Sequence, residues 1–322
     1  MALHHIYWWN LENLFDIERS TTRSDFLQKT LKSELKGWTR SILNKKLSNI
    51  NSVITQFNSN NGPDILGVCE VESKAVVEEL AERMSKSLKR NYTVSHADSA
   101  DKRGIDTALI YDADLYSTDD LVFTLRITKR NSTRDLLQIH LKTKAENELV
   151  IILNHWPSRS GGTFESEPYR IMVAENLAYW VDRIHEEMDD NPSIVLMGDF
   201  NDNPFDRSLS HYLMGSNNSK SVTYARNNKF YNLMYQFMDK QVGTHVYGNE
   251  LNLLDQFLIS KSIVSKRSVY PFTYEDCEII VMPEIVKGRY NTPIRFGRPS
   301  SKLNVNGYSD HLPIKLVLKE RS

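Results

Sequence analysis

Ile194-Val195-Leu196-Met197-Gly198-Asp199-Phe200-Asn201 sets the reading of this chain: four apolar residues, then a glycine, an acid and, two residues on, an amide. A short apolar run stopped by a glycine is the pattern of a buried strand ending in a turn. The same pattern recurs on both sides. His5-Ile6-Tyr7-Trp8-Trp9 ends in Asn10, with Glu12 close behind, and Ile65-Leu66-Gly67-Val68-Cys69 ends in Glu70. The run from Leu149 to Leu153 ends in Asn154-His155. Asp255 opens a strand through Phe257 to Ile259, and Asp310-His311 precedes the last apolar run, Leu312 to Leu318. A lone acid at such a place is usually a turn residue or a cap. Six terminations of one kind point instead to a shared sheet rim, where a site can be assembled from separate segments.

Between these runs lie helical patterns. Leu43, Leu47, Ile50, Val53, Ile54 and Phe57 recur at three- and four-residue spacing and predict a helix over 40–57. A second is predicted over 73–89. A third, over 168–186, rests on Ile171, Ala174, Leu177, Trp180, Val181 and Ile184. Strands over 107–111, 121–127, 136–141 and 149–153 follow one another without a helix. That order predicts an α/β domain with mixed or mostly antiparallel sheets, spanning residues 1–322 as one unit. Trp8, Trp9 and Trp180 read as core, and Trp156, beside His155, as a residue lining the cleft.

Composition narrows the function classes. The 322 residues carry 40 Lys and Arg against 41 Asp and Glu, which argues against a binder that grips nucleic acid by bulk charge. Two cysteines, Cys69 and Cys277, cannot make a disulfide scaffold or a four-cysteine zinc site. Apolar runs of about five residues are far short of the roughly 20 that a membrane-spanning helix needs. No basic segment followed by an apolar stretch opens the chain. The expectation is a cytoplasmic protein, or a secreted one whose leader is not in this sequence.

The polar set has a consistent chemistry. Oxygen donors from Asn, Asp and Glu, without cysteine, suit a hard cation such as Mg²⁺ or Mn²⁺. Histidines beside them can move protons or donate to developing negative charge. Together they are equipment for attack on a phosphate ester.

Six motifs stand in order: Trp9-Asn10-Leu11-Glu12-Asn13, Gly67-Val68-Cys69-Glu70, Asn154-His155-Trp156-Pro157, Gly198-Asp199-Phe200-Asn201-Asp202, Leu254-Asp255-Gln256-Phe257 and Ser309-Asp310-His311-Leu312-Pro313. In this order they resemble the endonuclease/exonuclease/phosphatase superfamily, which includes DNase I and the exonuclease III type enzymes, over roughly residues 5–318. Asp106-Thr107-Ala108-Leu109 and Gly307-Tyr308-Ser309-Asp310-His311 look most like its bacterial endonuclease-like branch.

The resemblance implies a four-layer α/β/β/α sandwich and metal-dependent phosphoester hydrolysis by in-line attack of water, with Mg²⁺ as cofactor and Mn²⁺ or Ca²⁺ as alternatives. It implies Asn10 and Glu70 as metal ligands, with Asp310 close by, and Asp199 as the carboxylate that orients or deprotonates water. Asn201 resembles the amide that steadies the nucleophile or phosphoryl oxygens. His311 resembles the histidine on the scissile phosphate, held by Asp255. His155 matches a second histidine, with Asp106 a candidate partner. For substrate binding the expectations are Arg159 as a phosphate clamp, Arg103 and Trp156. Glu12 reads equally as a group behind the metal or a surface acid, and Glu72 as a helix-start residue.

Charge distribution bears on the substrate. Lys287, Arg289, Arg295, Arg298 and Lys302 occur with no acid between them, interleaved with Tyr290 and Phe296, and this segment is expected to overhang the site. Arg126, Lys129, Arg130, Arg134, Lys142 and Lys144 form a second basic stretch. Basic, aromatic-bearing loops beside a metal site suit a polyanion. The expected function is a Mg²⁺-dependent endonuclease on DNA, acting as a monomer. The alternative is a phosphatase or phospholipase-type hydrolase on inositol phosphates or sphingomyelin-like head groups. A catalytically dead binding module is disfavoured because every expected polar position is present.

Overall fold

The computed structural model describes residues 1–99, 101–119, 122–127, 134–188 and 191–321. Leu121, Lys129 and Arg130, which entered the strand and charge readings, lie outside the described residues.

Two large mixed sheets pack face to face. The first runs, in spatial order, Phe272–Ile279, Ile314–Glu320, Ala2–Leu14, Ile65–Val71, Asp106–Asp112, Tyr92–His96. The second runs Gly215–Ser216, Phe230–Asn232, Asp255–Ile259, Ile194–Asp199, Glu148–His155, Leu136–Thr143, Tyr116–Ser117, with Val122–Leu125 also pairing to Leu136–Thr143. The helices Arg40–Ile54 and Lys74–Leu88 cover one outer face, and Thr163–Glu187 covers the other.

Alternation along the strands fills three apolar interfaces, so four layers follow. Ile6 and Trp8 face the other sheet, while Tyr7 and Trp9 face the helices. Leu149, Ile151 and Leu153 point between the sheets, and Val150 and Ile152 point to Thr163–Glu187. Strands buried on both faces read as continuous apolar runs, which is why these were legible as strands. The expected four-layer sandwich is the observed fold.

Pairing brings the polar terminations to one rim. Ala2–Leu14 is parallel to Ile65–Val71, so Asn10 and Glu70 emerge at the same end. Glu148–His155 is parallel to Ile194–Asp199, with His155 opposite Asp199. Asp255–Ile259 runs antiparallel, which puts its first residue, Asp255, opposite Asp199. Ile314–Glu320 is antiparallel to the first strand, so Asp310 and His311 enter from that rim.

The third helix begins five residues before its predicted start and carries Pro168 inside it. Buried Arg170 donates to the Thr163 carbonyl at 3.2 Å, satisfying an acceptor in the turn ahead of the proline. The missed strand Phe272–Ile279 alternates buried and exposed positions weakly, as an edge strand does.

Close approach of two strands depends on Gly198. A Cβ there would lie 2.2 Å from the Asn154 carbonyl oxygen, which is backbone and cannot turn aside. Gly198→Ala is therefore expected to destabilise the fold by about 1–3 kcal/mol. Urea denaturation checks this: the midpoint should fall with little change in slope.

Candidate active site

Two irregularities aim the first pair of side chains. The first strand loses register between Asn10 and Leu14, and its parallel neighbour shifts between Cys69 and Val71. Glu12, Asn13 and Glu70 take φ values of 51°, 59° and 59°, in the left-handed region that residues with a Cβ rarely adopt. Bulges of this kind bend a strand and redirect its side chains at a sheet rim. Here they turn Glu70 towards Asn10: the Asn13 backbone N–H donates to Glu70 Oε2 at 3.0 Å, and Asn10 Nδ2 to Glu70 Oε1 at 3.4 Å. Asn201, at the next strand end, also has a positive φ of 53°.

Asp199 lies at the centre. Its Oδ2 accepts from Asn10 Nδ2 at 3.1 Å and lies 3.9 Å from both His155 Nε2 and His311 Nε2. Its Oδ1 accepts from the Asn201 backbone N–H at 3.0 Å. Burial pushes this carboxyl well above the ordinary carboxylate range; the His311 charge opposes that shift, and Asp255 and Glu70 add to it.

His311 is held from behind. Its Nδ1 meets Asp255 Oδ2 at 2.6 Å, and Trp8 Nε1 reaches across from the other sheet to Asp255 Oδ1 at 2.9 Å. Burial alone would lower this imidazole, but the Asp255 and Asp199 carboxylates outweigh it and raise the value well above that of an ordinary histidine. His311 is therefore a cation at neutral pH. His155 behaves oppositely: burial, then the Arg103 and His311 charges, lower it well below the ordinary value. Two histidines a few ångströms from one carboxylate thus hold different protonation states, which is how a site separates acid and base roles.

The oxygen donors fit a hard cation. The ligating atoms of Asp199, Asp255 and His311 lie within 4.8 Å of one another, but the Asp255–His311 hydrogen bond accounts for that closeness. Glu70 and Asp310 offer hard oxygens at the same rim; Asn10 turns its Nδ2 towards Glu70 while its Oδ1 accepts the Glu12 N–H at 2.9 Å, so its oxygen would join a cation only after the amide turns over. Asp310 is raised first by burial; the His311 charge then opposes the shift and the Glu70 charge adds to it, so two acids face each other there. A divalent cation would relieve that repulsion, and Arg295, 3.4 Å from Asp310 Oδ2, meets part of the same need.

Several expectations are corrected. Trp156 does not line the cleft: its ring is fully buried against Phe200, its Nε1 donates to Asn154 Oδ1 at 3.0 Å, and only its carbonyl serves the site, accepting from Asn201 Nδ2. With Asn154 meeting the indole N–H inside, the whole ring can be buried at no cost in unmet hydrogen bonds. Arg159 lines the cleft, but each of its three nitrogens has a protein acceptor. They go to the Asn201 carbonyl at 2.8 Å, Asn252 Oδ1 at 3.4 Å and the Asp202 and Asp206 carboxylates at 3.3 and 2.8 Å. It braces the Asn201 loop and is not a free clamp. Asp106 accepts from the Ser99 N–H and faces His96 at 3.6 Å, so it is not the partner of His155. Glu12 is not a surface acid, and Arg295 links its carboxylate to that of Asp310. It is buried and accepts from Arg295 Nε and the Phe296 and Gly297 backbone N–H groups, tying the basic segment to the first bulge. Glu72 grips Arg23 through both oxygens at 2.6 and 2.7 Å, while Ser73 caps the helix.

Arg103 stands at the cleft with its side chain half exposed and pairs with Asp101 at 3.3 Å. The cleft, about 660 Å³, is lined by Glu70, His155, Asp199, Asn201 and His311. Two further residues line it: Arg134, marked in the sequence only as part of the second basic stretch, and His245, which carried no signal. Arg134 donates to the His155 and Trp156 carbonyls at 3.3 and 2.8 Å, and His245 packs on His311 with ring centroids 4.7 Å apart. Both sit outside the apolar-run-and-polar-stop pattern.

The sequence profile of the Endonuclease/Exonuclease/phosphatase family matches residues 5–320. The chain belongs to that family. Its namesakes hydrolyse phosphoester bonds, the chemistry for which these residues are arranged. Among curated proteins none matches the sequence significantly. Solved structures share the fold at low identity. A family member from Bacteroides thetaiotaomicron aligns over 100% of this chain and 99% of its own, with a TM-score of 0.58 and 16% identity. A mannosyl-6-phosphatase of the same organism aligns over 98% and 99%, at 0.56 and 18%. ANGEL2, a 2′,3′-cyclic phosphatase, aligns over 98% and 95%, at 0.64 and 14%. No helix among the described residues is long and apolar enough to cross a membrane.

Proposed function

We propose that this protein is a metal-dependent phosphodiesterase that cleaves nucleic acid, with DNA as substrate and Mg²⁺ as cofactor. One observation carries the nucleic-acid reading. The small hairpin of Val286–Lys287 and Thr292–Pro293 packs against the strand His245–Tyr247, whose His245 and Tyr247 line the cleft. That hairpin presents exposed Lys287 and Arg289, with Tyr290 beside Arg289, and Tyr247 itself is 77% exposed. Cations and open aromatic faces outside the reacting centre suit a chain with flanking phosphates and bases. A small phosphate ester would leave them unused.

The site's residues divide the work as follows. Glu70 and Asp310, with Asn10 beside them, would hold Mg²⁺, which when bound would supply Lewis-acid charge at the phosphoryl group. Asp199, poised by burial to exchange a proton near neutrality, accepts one from the attacking water. His311 remains protonated against Asp255 and donates Nε2–H to a phosphoryl oxygen as charge builds there. Asn201 is held by the Trp156 carbonyl and by Arg159, so its amide is fixed at the rim before substrate arrives.

Charge reversal on the hairpin tests the substrate class without touching the chemistry. The double variant Lys287→Glu, Arg289→Glu should raise KM for single-stranded DNA by about tenfold or more at moderate salt and flatten the salt dependence by about two contacts. Its kcat/KM for bis(p-nitrophenyl) phosphate should stay at the wild-type value. An unchanged DNA KM and salt slope would remove the nucleic-acid reading while leaving the hydrolase standing.

A further inference from the structure

His245 lines the cleft, and neither the metal nor the Asp199–His311 pair gives it a role. Its strand is built into the catalytic scaffold. The Leu312 N–H donates to the Thr244 carbonyl at 2.7 Å, and Thr244 Oγ1 accepts from the Leu254 and Asp255 N–H groups at 3.1 and 3.0 Å. His245 itself forms an isolated antiparallel bridge with His311. Its ring is therefore positioned by the same backbone that positions Asp255 and His311.

The ring's environment decides which nitrogen can work. Nδ1 is buried with no hydrogen-bond partner, which leaves Nε2 as the nitrogen that reaches the cleft. An unmet acceptor in the interior costs less than an unmet N–H, so the proton belongs on Nε2. A second positive charge beside His311 is also disfavoured. Burial, followed by the His311, Arg295 and Arg159 charges, lowers this imidazole to about 3. His245 is thus a neutral donor, its ring tilted 41° to that of His311 with centroids 4.7 Å apart.

We propose that His245 is a catalytic residue that donates Nε2–H to an oxygen of the scissile phosphodiester beside the oxygen taken by His311. The assignment rests on the phosphodiesterase reading above. Its ring also packs against that of His311.

Three substitutions separate the donor from the stack. His245→Phe keeps the ring face and loses the donor; His245→Gln places an amide N–H where Nε2 stood; His245→Asn reaches only the Nδ1 position. With a single-stranded DNA oligonucleotide and Mg²⁺, His245→Phe and His245→Asn should lose about 10- to 100-fold in kcat, the span of a hydrogen bond to a charged oxygen. His245→Gln should recover most of that loss. Melting temperatures should stay close to wild type, and the pH profile should keep its shape because His245 does not titrate within it. Wild-type kcat in His245→Phe, or equal losses in Gln and Asn, would overturn the donor role. An inactive wild type would overturn the phosphodiesterase reading and this assignment with it; an active wild type indifferent to His245→Phe overturns the assignment alone.

Discussion

His311→Ala is expected to lower kcat/KM on a DNA oligonucleotide by about 10²–10³-fold, the cost of losing one preorganised donor to developing charge. The expectation follows from how the imidazole is held. Asp255 meets its Nδ1 at 2.6 Å, Trp8 fixes Asp255 from the opposite sheet, and the paired carboxylates keep the ring protonated. Activity should accordingly fall on the alkaline side as the ring loses its proton. Stability has a definite sign as well. Because the folded value is raised, this histidine's contribution is complete below its unfolded value of 6.5 and is lost as pH rises through the folded one. In urea titrations of metal-free protein, the gap between wild type and His311→Ala should be widest at low and neutral pH and narrow towards alkaline pH. A gap that widens with pH would contradict the ion pair.

Asp199→Asn should be the more damaging change for chemistry, with about a 10²–10⁴-fold loss, since it removes the proton acceptor while keeping the shape. Its effect on stability runs the other way with pH. The folded carboxyl is raised, chiefly by burial, so ionising it costs stability above the unfolded value of 3.8. In EDTA, the denaturation midpoint of Asp199→Asn relative to wild type should therefore move in the variant's favour as pH rises from there through the folded value. A residue kept at a cost to stability and needed for turnover behaves this way; a merely structural acid would show the reverse slope.

Much of this site could be read from the sequence because the physics is local. A strand buried on both faces is uniformly apolar, so the first polar residue after it marks a rim; Asn10, Glu70, His155 and Asp199 were legible for that reason. The same logic failed where a role depends on a partner remote in the chain. Trp8 looks like any core tryptophan until Asp255, 247 positions away, lies against its N–H. Glu12 gave no hint that its partners would be the backbone of Phe296 and Gly297. Arg159 reads as a phosphate clamp until Asp202 and Asp206 are folded against it. His245 sits in a three-residue strand of a small hairpin, too short for any periodicity to mark it. Trp156 follows His155 in the chain but packs on the other side, against Phe200 in the core, because successive residues of an extended chain point to opposite faces.

Cleavage of an end-labelled single-stranded DNA oligonucleotide, followed by gel for wild type and Asp199→Asn in Mg²⁺ and in EDTA, with mannose 6-phosphate hydrolysis measured in parallel, tests the central claim most directly. Wild type should fragment the DNA in Mg²⁺ alone, Asp199→Asn should lose at least about 10²-fold, and the sugar ester should release little phosphate. Intact DNA alongside rapid release of phosphate from mannose 6-phosphate, or cleavage that persists in EDTA, would contradict that claim.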